Sequence, residues 1–184
     1  MQNATVTDKR RAPQRKWVAV NPELHLLRVD RVVDGGTEPL SAAVVFSIHG
    51  TGISQHAHEY NADVWAYLVA SLRHRIEDAT GTAPVVGAME GTHADVAPAL
   101  RPGQAGHREA RRIGRGIGAA AAELHERLGA ELTDQVALDV GLREVDLDRD
   151  REIDGIELPD RPAVGAALTA GAKENLTPVL HLLP

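Results

Sequence analysis

One stretch constrains the fold more than any other: Ala42, Ala43, Val44, Val45, Phe46, Ser47 and Ile48, apolar at every position but Ser47, followed by His49-Gly50-Thr51-Gly52. A short apolar run bounded by turn residues predicts an interior strand over residues 42–48. The two glycines that follow allow a sharp turn and a close approach of the backbone. An imidazole is thereby set at the C-terminal end of a central strand, where α/β proteins gather their chemistry. Imidazole also ligates zinc. A core histidine with both ring nitrogens satisfied is the alternative reading of this residue alone.

The other elements follow from periodicity and punctuation. Residues 24–33 read as a strand, and Asp34-Gly35-Gly36 turns the chain toward 42–48, a hairpin with a somewhat long connection. Asn61 is a suitable N-cap for a helix running to about residue 76, with Asp63 in its first turn. Its core face would be Val64, Tyr67, Leu68, Leu72 and Ile76. A short strand over 84–89 comes next, then a loop over 90–106 and a long Ala/Gly-rich helix over 107–128. Gly114, Gly116 and Gly118 lie inside that helix rather than ahead of it, which argues against a phosphate loop and for close packing on the sheet. Val136, Leu138, Val140 and Leu142 alternate with polar residues and predict a half-buried strand. The order strand, strand, helix, strand, helix, strand predicts an α/β fold: a mixed β-sheet with packed helices.

Composition narrows the function classes. The chain has 184 residues and a net charge of −6, and no long basic stripe appears outside the segment with Lys9, Arg10, Arg11, Arg15 and Lys16, so nucleic-acid binding is not expected. Residues 1–20 are expected to be a loosely ordered basic segment ahead of one domain over 21–184. There is no cysteine, hence neither disulfides nor thiolate zinc sites. No apolar run approaches the roughly 20 residues that span a bilayer. The first residues lack the apolar core of a signal peptide, so a soluble chain is expected, with its compartment undetermined.

Two loops carry candidate chemistry. His49 is followed by His56 and His58, three histidines within ten residues, although solvated loop histidines explain the latter two. The second loop, with His93, Asp95 and Ala97, directly follows the strand over 84–89. Loops at the ends of neighbouring strands converge, so His93 and Asp95 are placed to orient a ligand histidine or a metal-bound water. Local turn capping by Asp95 explains it equally well. No Gly-x-Ser-x-Gly elbow and no His-Glu-x-x-His motif occurs.

Three segments in order resemble the catalytic domain of the neutral (non-lysosomal) ceramidases. Phe46-Ser47-Ile48-His49-Gly50-Thr51 is similar to that family's strand ending in His-Pro-Thr or His-Gly-Thr. Asn61-Ala62-Asp63, running on to Tyr67 and Leu68, is similar to its Ser-Asp-Asn…Gly-Tyr-Ala helix start. Ala94-Asp95-Val96-Ala97-Pro98-Ala99 is similar to its Gly-Asp-Val-Ser-Pro-Asn signature. Weaker echoes occur around Pro102-Gly103-Gln104 and at residues 162–171. The resemblance implies a zinc amidohydrolase that cleaves the N-acyl amide of ceramide-like lipids. It makes His49 the zinc ligand and Asp95 a catalytic residue, with His93 and Ala97 against the substrate. Ala97 stands where the family has serine, so its side chain donates no hydrogen bond to the reacting amide. One lost donor of that kind typically costs 10²–10³ in rate. The family's other zinc ligands, an upstream His-Thr-His-Ser and a downstream Glu and Tyr, have no counterpart here. On that pattern the zinc site is incomplete within this chain. Another chain or a longer product completes it, or the module has lost catalysis and binds a lipid or protein partner.

Overall fold

The computed structural model describes residues 21–157 apart from 55, 58, 94, 95, 99, 100, 145, 147–151 and 154. The expected basic segment over 1–20 and the echo at 162–171 lie outside the described residues. The chain divides into two compact units, Met1–Leu132 and Thr133–Pro184.

The first unit begins with a hairpin. Strand β1 (Leu24–Val33) pairs antiparallel with β2 (Gly36–Phe46), Val33 facing Gly36 across the turn residues Asp34 and Gly35. The connection is therefore two residues and not a long one. Gly35 takes φ 88°, the positive value that a tight hairpin turn asks of its glycine. The register shifts between Val29 and Asp30, which leaves Leu40 as an extra residue on β2, a bulge that absorbs the misfit between turn and strand. Pro39 lies on the part of β2 that β3 does not reach, pairing there beginning at Ser41, so this stretch is an edge on that side, where proline is tolerated. Strand β2 then ends at Phe46 rather than at residue 48.

Helix α1 (Asp63–Thr80) carries the chain across to β3 (Val85–Glu90), which lies parallel to β2 with Phe46 opposite Glu90. The three-stranded sheet thus has the order β1-β2-β3 and is mixed, as the sequence predicts. Helix α2 (Gln104–Leu128) follows. Ala42, Val44, Phe46 and Ile48 form one core with Val64, Leu68, Leu72 and Ile76 of α1 and Ala110, Ile117 and Ala121 of α2. Each fully buried Val, Leu or Phe here contributes roughly 1.5–3 kcal/mol over its exposed state. Among the described residues the helices cover this face of the sheet, while Leu27, Val85 and Met89 on the strands are exposed; β2 is the central strand, as its apolar run predicts.

Two further expectations change. Asn61 does not cap the helix: Ala62 occupies the N-cap position without a side-chain cap bond, and the Asn61 side chain instead accepts the N–H of Asp63. Of the three glycines expected to pack on the sheet, Gly114 and Gly118 pack on α1 instead, and Gly116 faces open space. A Cβ at Gly114 would meet the Val64 carbonyl oxygen and, at 2.9 Å, the Leu68 nitrogen; one at Gly118 would meet the Leu68 carbonyl oxygen at 2.8 Å.

In the second unit the described elements are the two-residue strands β4 (Glu152–Ile153) and β5 (Ile156–Glu157), paired antiparallel. The strand expected around Val136 to Leu142 does not form: those four apolar residues are 63–94 % exposed and unpaired in any described sheet. Alternation specifies a strand only where a ladder partner and a covering layer exist, and the described residues offer that segment neither. No helix among the described residues is long and apolar enough to cross a membrane.

Candidate metal centre

Parallel pairing brings the C-terminal ends of β2 and β3 side by side. Phe46 and Glu90 are register partners, and His49 and His93 each lie three residues beyond one of them. The two histidines, far apart in sequence, are thereby delivered to the same edge of the sheet. Their rings meet edge to face with centroids 5.1 Å apart.

Glu90 joins them. One carboxylate oxygen lies 3.2 Å from Nδ1 of His49 and the other 2.8 Å from Nδ1 of His93. Partial burial pushes the Glu90 carboxyl up, but the hydrogen bonds from His49 and His93, with the charge of those rings, outweigh it and hold it below its ordinary value. The carboxylate is therefore the ionised, accepting partner. The side chains of His49 and Glu90 are 38 % and 23 % exposed and that of His93 is 72 % exposed, so the cluster opens to solvent on the His93 side. His49, Glu90 and His93 form a group that could hold a metal ion, with candidate ligand atoms all within 4.8 Å of one another.

The backbone around the cluster is fixed from both sides. The His49 N–H donates to the Val96 carbonyl at 2.7 Å, and the Gly91 N–H to the Phe46 carbonyl at 3.1 Å. Beyond His49, the loop is held by Asp63, a buried carboxylate that accepts the N–H groups of Gly52 (3.0 Å), Ile53 (2.6 Å) and Val64 (2.7 Å). Asp63 does this at φ 50°, a left-handed conformation that few residues other than glycine adopt.

The residues singled out by sequence fare differently. His49 and His93 come together. Ala97 is exposed and outside the cluster; its neighbour Val96 is buried and touches His49 through the backbone. Asp95 and His58 lie outside the described residues, and His56 is exposed and not part of the group. Glu90 is the residue that sequence reasoning missed. The available signal was its place as the last residue of a strand, followed by glycine, with a histidine three positions on, as Phe46 has His49. No protein-family model, curated protein or solved structure matches this chain.

Proposed function

We propose that this chain is a zinc-binding amidohydrolase of the ceramidase kind, holding the ion on His49, Glu90 and His93 and acting on the N-acyl amide of a ceramide-like lipid. The observation that carries the reading is the convergence of two imidazoles on one ionised carboxylate at the C-terminal edge of a parallel strand pair. Two nitrogens and one oxygen are a donor set that zinc accepts, and three protein ligands leave a fourth position open, the pattern of catalytic rather than structural sites. When bound, zinc supplies a Lewis acid and a water acidic enough to attack an amide near neutral pH.

The chain's own residues supply the rest. The His49 main chain is pinned to Val96, which fixes the strand end carrying the ring. Before an ion binds, Glu90 gathers both histidines through their Nδ1 atoms, and the exposed side of His93 leaves room for a substrate to approach. On the resemblance to the ceramidases, Asp95 assists the reaction and Ala97 lies against the amide. With no hydroxyl at Ala97, turnover is expected to be slow. That same residue favours a second reading, in which the module binds its lipid or a partner protein without cleaving it.

Zinc content of the purified protein tests the first step: about one zinc per chain is expected, lost in His49→Ala, and no zinc in the wild type would overturn it. Hydrolysis of an N-acyl sphingoid substrate tests the second. Activity that rises by 10²–10³ in Ala97→Ser supports the amidohydrolase. Zinc binding without cleavage in either protein leaves the binding module.

A further inference from the structure

Ser47 is the one polar residue in the run from Ala42 to Ile48, and it is 1 % exposed. A buried hydroxyl is costly unless bonded, and alanine or valine would suit a strand end better. Its oxygen accepts the N–H of Thr92 at 3.0 Å and the hydroxyl of Thr92 at 2.7 Å. Gly91 makes that approach feasible: a Cβ there would stand 2.7 Å from the Ser47 oxygen and 3.5 Å from the Phe46 carbonyl carbon. The bonds span 45 residues and tie the first residue after β2, two positions before His49, to the turn between Glu90 and His93.

We propose that Ser47 is the positioning residue of the His49–Glu90–His93 group, its hydroxyl clasping the Gly91–Thr92 turn so that Glu90 and His93 stay in register with His49. Ser47 touches no candidate ligand atom; it acts by fixing the turn that carries two of the three. For its zinc readout the inference rests on the metal reading above, but its structural content stands apart from it. Groups that orient metal ligands from behind typically change metal affinity 10–100-fold when removed.

The test is the zinc dissociation constant, measured by chelator competition, for wild type, Ser47→Ala and Thr92→Val. Thr92 is exposed, so Thr92→Val folds even if the buried substitution does not. Ser47→Ala is expected to raise the constant 10–100-fold and Thr92→Val several-fold, with far-UV circular dichroism unchanged. Wild-type affinity in both variants would overturn the proposal. Proximity of the His49 and His93 rings in the metal-free proteins, read by NMR, decides the matter without zinc: its loss in the variants supports the clasp, and its persistence overturns it. Absence of zinc from the wild type together with lost ring proximity in the variants would sink the metal reading alone.

Discussion

At the scale of single residues, two buried polar groups carry more than their share of the structure. Asp63 spends its carboxylate on three backbone N–H groups and holds a left-handed backbone to do so. Asp63→Ala leaves those donors unpaired near the core and should cost about 1–3 kcal/mol, read as a lower urea midpoint with unchanged slope. His125, on the last turn of α2, is 4 % exposed, and its Nε2 has no hydrogen-bond partner among the described residues. Facing it from β1 are Arg28, which donates to the His125 carbonyl at 2.7 Å, and Asp30, paired with Arg28 at 2.6 and 2.8 Å. Burial first, and the Arg28 charge second, push the His125 ring below its ordinary value of 6.5, while Asp30 opposes them. The folded state therefore binds this proton less readily than the unfolded chain does. The contribution to stability is complete above pH 6.5 and is lost as pH falls through the lower folded-state value. The melting temperature should drop below pH 6.5 in the wild type and flatten in His125→Gln.

Among the elements, the crossing of α1 and α2 depends on two absent side chains. Gly114→Ala forces a methyl onto the α1 backbone at Val64 and Leu68, and overpacking of this kind costs about 1–3 kcal/mol. Gly116 is exposed with open space where a Cβ would stand, so Gly116→Ala should stabilise by up to about 1 kcal/mol through helix propensity. Paired thermal melts distinguish the two. These elements also show what the sequence discloses. Helix α1 is legible because Val64, Leu68, Leu72 and Ile76 repeat at helical spacing, and β2 because its apolar run is short and bounded. The packing partner of Gly114 and Gly118 is not legible, since a small residue says that something approaches closely but not which element. The alternation from Val136 to Leu142 misleads for a related reason: period two records a pattern of side chains, and pairing requires a neighbour.

On the scale of the whole molecule, the core and the candidate metal centre both belong to the first unit, before Thr133. His49 was legible from its place after an apolar strand. Glu90 was not, because its relevance appears only once the register sets it opposite Phe46. That register has a kinetic meaning. The hairpin of β1 and β2 closes over two turn residues, whereas His49 and Glu90 are 41 residues apart and meet only when the chain has passed through α1 and returned. Pairings of long sequence separation form late because the loop must be closed before any contact rewards it. On the ribosome the hairpin and α1 can be complete while the candidate group is still missing two of its three members, and a metal held there would gain its full coordination only from a chain that has already committed to the sheet.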